Sequence, residues 1–280
     1  MTELMQKLQF PPEAVAALSE AYKKMEGKMD HARAALFARE KIATEKSNFS
    51  GEIAELAEQE QVHPYTADMV FALYCALQLR EVYREKGYPE ALYWETVVDL
   101  RYKLMECYHV YGIWGSFVAY WFRDFFLCER FKLGRLQYEW QKLKYPYKEL
   151  EEGTPVLNCH IPSSGPIPKE EVLDSLKRAY EFYGFNGLMP VVCQSWMLYP
   201  PHYEFFPEGG NLRDFQDAFT ILNAKEDPKK LSLWRITNRM DDVVPTHTRL
   251  LRRLKAYLDA GKGMGSGYGI LLFDGEKIIR

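Results

Sequence analysis

The sequence predicts an α+β protein: a helical N-terminal domain over residues 1–130, then residues 131–280 folded as a mixed β-sheet with helices packed on it. Three observations support this. From Pro12 to about Glu129 apolar residues recur at helical spacing, and β-branched runs are few. Past Phe131 the pattern changes to period two, and short apolar runs then alternate with amphipathic segments. At 280 residues, with 47 % apolar and 27 % charged side chains, the chain exceeds the usual single-domain size and can bury a sizeable core.

In the first part, "DHARAALFAREKIATEK" reads as a helix. So does "YTADMVFALYCALQLREVYREKG", where Met69, Ala72, Leu73, Ala76, Leu77 and Val82 form one stripe and Gly87 and Pro89 supply the stop. "PEALYWETVVDLRYKLMECYHVYG" reads as one more, with Pro89 near its first turn and Gly112 at its end. Ordinary helix lengths give about five or six helices here.

In the second part, "LGRLQYEWQKLKY" sets Leu136, Tyr138 and Trp140 against Arg135, Gln137, Glu139 and Gln141, which predicts a half-exposed antiparallel strand. "TPVLNCHIP" reads as a buried strand. A helix follows over 169–183, a strand over 190–199, a helix around 211–219, a strand over 231–238, a helix over 246–261 and a last strand over 268–275. Strands alternating with helices after an opening hairpin predict a mixed sheet.

Composition excludes some partners. The 36 basic residues fall short of the 39 acidic ones, for a net charge of −3, so no global positive field favours nucleic acid or an anionic membrane. The most apolar stretch, Trp114 to Leu127, is cut by Arg123 and Asp124, which argues against a membrane span. The N-terminus lacks the basic start and apolar run of a signal peptide. Five scattered cysteines without CxxC spacing argue against a disulfide framework or a zinc site. A reduced cytoplasmic protein is expected.

The order strand, strand, break, helix, strand, helix, strand, closing in a helix and a strand, resembles the later part of the GNAT acyltransferase fold. "NCHIP", "CQSWMLYP", "GNLRDFQDAF" and "PTHTRLLRRLKAYLDAGKGMGSGYGILL" are similar to a bacterial family with an N-acyltransferase N-terminal helical domain and a GNAT-like C-terminal domain. The resemblance spans nearly the whole chain. It implies an N-acyltransferase that uses acetyl-coenzyme A or another acyl-coenzyme A as co-substrate and no metal. The acyl group passes by direct attack to a small-molecule amine, with the helical domain forming part of the acceptor site. It also implies that the break after "NCHIP" receives the pyrophosphate, through Ser163, Ser164, Gly165, Ile167 and Lys169. GNAT enzymes generally carry Gln or Arg, two residues, Gly, one residue, then Gly or Ala at this turn. Here the turn reads Ser163-Ser164-Gly165-Pro166-Ile167-Pro168, and the prolines carry no N–H. The other reading of the break is a proline-guided turn that starts a helix at Pro168.

Acyl transfer from a thioester to an amine needs a base, oxyanion donors and an acid for the leaving thiolate. The resemblance places the thioester where the strands before and after the helix splay, so their residues are the candidates. His160 titrates near neutrality and is the candidate base, against a backbone-bonded buried histidine. Tyr199 is the candidate acid and Ser195 a neighbouring hydroxyl; the alternative for Tyr199 is an aromatic cap on the sheet. Cys193 raises a rival nucleophilic mechanism with His160 or His202, but its apolar flanks favour packing. His202, Glu204 and His247 lack metal-ligand spacing. Arg235, Arg249, Arg252 and Arg253 read either as phosphate ligands or as a solvated face, and "GKGMGSGYG" as a flexible link into the last strand or a nucleotide loop. The competing function is a non-catalytic module that holds a small molecule or peptide on the same fold.

Overall fold

A computed structural model describes residues 1–38 and 51–279, which form two compact units, Met1–Phe131 and Lys132–Arg280. The later half of the helix expected from Asp30 onwards lies outside the described residues.

Among the described residues the first unit holds eight α-helices: α1 (Thr2–Lys7), α2 (Pro12–Met25), α3 (Asp30–Ala38), α4 (Gly51–Gln59), α5 (Pro64–Glu85), α6 (Glu90–Val97), α7 (Asp99–Tyr111) and α8 (Arg123–Phe126). The single helix expected over 89–112 is thus two, and the β-branched run Thr96-Val97-Val98 sits at the break. The expected ends hold, since Pro89 is the N-cap of α6 and Gly112 closes α7 in the left-handed region at φ 69°. Helix α5 is the axis. From Ala67 to Leu73 every residue is buried, which marks a helix covered on all sides, and α2, α4, α6 and α7 pack around it. The loop after α7 is tied to its first turn, where the Ser116 N–H donates to the Tyr65 carbonyl at 2.9 Å and the Thr66 hydroxyl to the Trp114 carbonyl at 3.0 Å. Gly115 permits this approach, because a Cβ there would stand 2.5 Å from the Tyr65 carbonyl.

The second unit is built on a mixed sheet of β1 (Arg130–Leu133), β2 (Leu136–Lys142), β3 (Pro155–His160), β4 (Met189–Ser195), β5 (Thr220–Glu226), β6 (Gly265–Phe273) and β7 (Ile278–Ile279). The helices are α9 (Lys169–Phe182), α10 (Asn211–Asp217), α11 (Trp234–Thr237) and α12 (Arg249–Asp259). The strand order is β1-β2-β3-β4-β6-β5, with β7 also beside β6. Pairing is antiparallel for β2/β3, β4/β6, β5/β6 and β6/β7, and parallel for β3/β4. A parallel pair needs a crossover connection, and α9 supplies it. Its buried Val172, Ser175, Leu176 and Ala179 form one stripe. Ser175 Oγ donates to the Leu133 carbonyl, accepts from the Leu136 N–H and meets the Tyr138 hydroxyl at 3.0 Å, so one buried serine joins the β1–β2 turn to the helix.

Two expectations are corrected. Residues 231–238 are not a strand. Asp227 Oδ2 accepts from the Ser232 N–H and hydroxyl at 2.9 and 3.0 Å, and the chain turns into α11, which ends at Asn238 with φ 54°. The strand is instead β5, an edge strand without a fully buried position, so its apolar signal is weak. The expected strand over 190–199 stops at Ser195, where the chain enters a 3₁₀ turn over Trp196–Leu198.

Inside the helical unit, Asp68 on α5 is 2 % exposed, and its Oδ2 has no hydrogen-bond partner among the described residues. Burial raises its carboxyl from 3.8 to about 8, so the folded chain holds a proton there at neutral pH. This stabilisation is complete below the unfolded value and is lost as pH rises through about 8. Asp68→Asn, which mimics the protonated carboxyl, should leave stability near wild type at pH 4 and raise it by a few kcal/mol, roughly, at pH 8. Urea unfolding at the two pH values checks this, and equal stability of wild type and variant at both would refute it.

Candidate active site

The parallel strands β3 and β4 share a register of only two pairs, Leu157 with Val191 and Asn158 with Val192. Strand β3 continues to His160 and β4 to Ser195, so their C-terminal ends run on past the shared register. Ligands of α/β sheets collect at such carboxyl ends. The turn between β3 and α9 lies at this end. Ser163, Ser164 and Gly165 are exposed, Ile167 is 3 % exposed, and Gly165 takes φ 106°, which a glycine tolerates. Pro168 is the N-cap rather than the first helical residue, and Lys169 opens α9 with Glu170 and Glu171 in the same turn. The buried Arg135 at the start of β2 reaches this turn, with Nε 2.8 Å from the Pro166 carbonyl, Nη1 3.1 Å from that of Pro162 and Nη2 2.8 Å from that of Gly165.

Residues directly opposite in a sheet share a face. The β2/β3 register pairs Gln137 with His160 and Glu139 with Asn158, so these four lie on one face, and Tyr138 and Cys159 lie on the other. His160 Nε2 sits 2.8 Å from Glu139 Oε1, and Asn158 Nδ2 stands 3.1 Å from the same oxygen and 2.9 Å from the imidazole. The His160 and Glu139 side chains are 23 % and 18 % exposed, reachable from outside yet held by neighbours. The alternative of a histidine bonded only to backbone is not what forms here. Glu139 and Asn158 complete this cluster around His160, and the sequence alone does not point to them. The polar positions of β2 were read as its solvent face, yet Gln137 is fully buried and Glu139 faces the imidazole. Two polar alternations in register, on β2 and at Asn158/His160 of β3, were the available signal.

The other candidates are not brought to this cluster. The β4/β6 register places Val192 and Gln194 on the His160 face and Cys193 and Ser195 on the opposite one. Ser195 Oγ accepts from the Met197 N–H at 3.1 Å and caps the 3₁₀ turn. Cys193 is 1 % exposed and neighbours Cys159, whose thiol the Cys193 side chain and burial push well above its ordinary pKa. The imidazole of His160, on the far side of the sheet, cannot activate it. Tyr199 is 8 % exposed, with burial and the Glu226 charge raising its phenol, and its ring centroid lies 4.9 Å from that of His202. His202 is a core residue. Its Nδ1 donates to the Trp196 carbonyl at 2.8 Å, Phe205, Phe206 and Tyr257 enclose it, and burial lowers its pKa to about 4. No three potential metal-ligating side chains come together among the described residues. Arg253 donates to the Phe205 and Glu204 carbonyls at 2.8 and 2.7 Å and Arg252 to Thr246 at 2.9 Å, so both fasten local backbone. Arg235 lies over the Trp234 ring.

The histidine–carboxylate pair thus stands at the end of β3, beside the crossover helix α9, and the fold that carries it is similar to that of known acyltransferases. Residues 130–271 match the GNAT-like C-terminal domain and residues 1–128 the N-acyltransferase N-terminal domain. The chain belongs to this acyltransferase family. Among solved structures, an acyltransferase in complex with decanoyl-CoA and teicoplanin aligns with a TM-score of 0.77 at 20 % identity, covering 96 % of this chain and 86 % of that one. An acyltransferase with CoA and 10C-teicoplanin gives 0.76 at 19 % identity, and one with decanoyl-CoA gives 0.75 at 21 %, with the same coverage. These likenesses establish the fold. No curated protein matches the sequence.

The glycine run is settled by packing. Gly261 and Gly263 lie in the connection from α12, as a link would, whereas Gly265, Gly267 and Gly269 lie within β6 on one face. A Cβ would stand 2.5 Å from the Tyr199 ring at Gly265, 2.0 Å from the Leu198 carbonyl oxygen at Gly267 and 3.0 Å from Phe219 Cβ at Gly269. The absent side chains make room for the turn that ends β4. Gly267→Ala should therefore cost at least about 1–3 kcal/mol, as overpacking against backbone does. Thermal unfolding beside a Gly263→Ala control, whose added Cβ meets nothing within 4 Å, checks this, and equal melting temperatures would refute it.

Proposed function

We propose that the chain transfers an acyl group from an acyl-coenzyme A to an amine of a small-molecule acceptor by direct attack. The observation that carries this reading is the His160–Glu139 pair with Asn158, set at the end of β3 where its register with β4 stops. In this reading the thioester lies against the diverging ends of β3 and β4, and the turn from Ser163 to Lys169 receives the pyrophosphate. His160 removes a proton from the acceptor ammonium, the amine attacks the thioester carbonyl, and the tetrahedral intermediate breaks its C–S bond to give the amide, the departing thiolate taking up the proton that the nitrogen sheds. Glu139 holds the imidazole in position and favours its protonated form as the proton arrives. Direct attack is supported by Cys193, which lies buried against Cys159 on the opposite face and is ill placed for an acyl-enzyme. Ser195 and Tyr199 keep their capping and packing contacts and are given no step.

The solved acyltransferases of like fold hold CoA or acyl-CoA thioesters, two of them together with a teicoplanin. That supports the donor class and an acceptor of small-molecule kind. Thermal unfolding with free coenzyme A and a series of acyl-coenzyme A thioesters tests the donor. A ligand at about one hundred times its dissociation constant adds roughly 2.7 kcal/mol, a shift of a few degrees. His160→Gln should lower kcat by about 10²–10⁴ with the donor KM little changed. Wild-type kcat in that variant, measured with a donor that shifts the melting temperature, would remove His160 from the mechanism.

A further inference from the structure

We infer that Arg135 is a positioning residue for the donor: it turns the peptide groups of the Ser163–Ile167 loop so that their N–H groups face the pyrophosphate. The inference rests on the donor assignment above and goes beyond it to a residue on another element. The argument is geometric. One guanidinium holds the carbonyls of Pro162, Gly165 and Pro166 at 3.1, 2.8 and 2.8 Å. The described chain has no cis peptide bonds, and in a planar trans peptide the N–H points opposite to the C=O. With the Pro162 and Pro166 carbonyls drawn toward the Arg135 guanidinium, the N–H groups of Ser163 and Ile167 are aimed away from it. The third clamped peptide ends in Pro166, which has no N–H, but its carbonyl contact fixes Gly165 at φ 106° between the other two. Two outward donors from one turn, beside the first turn of a 14-residue helix, make a cradle for an anion.

The choice of arginine is explained by the same geometry. Five donors on a rigid planar fork can meet three carbonyls in fixed directions, and a lysine ammonium on a flexible stem cannot. The side chain is 7 % exposed, so it works from beneath the loop and does not itself touch the donor. Its position in the β1–β2 turn, beside Gly134, is held on α9 by Ser175. The loop is therefore shaped from the β1–β2 turn, which precedes it by 30 residues or so in sequence, and this is why the loop's own residues do not announce the function.

The experiment compares coenzyme A with pantetheine, which lacks the pyrophosphate, as ligands of wild type, Arg135→Met and Arg135→Lys, by calorimetry. Thermal unfolding of each variant without ligand is measured in parallel. Wild type should prefer coenzyme A. Both variants should bind coenzyme A about tenfold or more weakly, bind pantetheine as wild type does, and keep kcat at saturating acyl donor. If Arg135→Met does not fold, Arg135→Lys carries the test. Wild-type coenzyme A affinity in a folded variant, or equal loss for both ligands, would overturn the role of Arg135 alone. A wild type that binds the two ligands equally would instead overturn the assignment of the loop to the donor.

Discussion

The constraint on which this fold turns is that two parallel neighbours, β3 and β4, cannot be joined by a tight turn. The chain has to leave the sheet after His160, cross it as α9 and re-enter at Met189. Every feature of the site follows from that departure. The crossover creates a helix N-terminus beside a strand end. It leaves a loop that must be folded back under the helix, and the two strands share just two register pairs before their ends go separate ways. Antiparallel partners on both flanks, β2 on one side and β6 on the other, hold the pair in place despite so short a ladder.

The two faces of the sheet are put to different uses. On one, Tyr138, Cys159, Val191 and Cys193 are buried, and the glycines of β6 let the turn after β4 lie close. On the other, Val156, Val192, Tyr268 and Ile270 pack under the segment from Leu143 to Leu150, and the polar residues Gln137, Glu139, Asn158 and His160 occupy the remaining width of β2 and β3. Within this row Glu139, Asn158 and His160 hydrogen-bond to one another, as polar groups held out of water must. The histidine is held by two neighbours before any substrate arrives.

Much of the fold was legible because its elements are locally consistent. The stripe Val172, Leu176, Ala179 marks α9, and the apolar run from Val156 to Cys159 marks β3. What failed did so for reasons of context. Edge strand β5 buries too little to show a period, while Leu231 and Leu233 alternate by chance in a segment that Asp227 folds into a turn. His160 was legible as a titratable group at a strand end. Glu139 was not, because its role depends on register between two strands, and Arg135 was not, because its role depends on the directions of three carbonyls in a distant turn. His202 looks like chemistry in the sequence and is core, since nothing local distinguishes an imidazole facing solvent from one facing five aromatic rings.

The paired thiols of Cys159 and Cys193 carry a consequence of their own. They sit on adjacent central strands and the same face, each 1 % exposed and both free. A thiol must be exposed to meet an alkylating reagent, and both are covered while the sheet is intact. Their modification therefore proceeds only at the rate at which the middle of the sheet comes apart, so the protein contains an internal clock for its own opening.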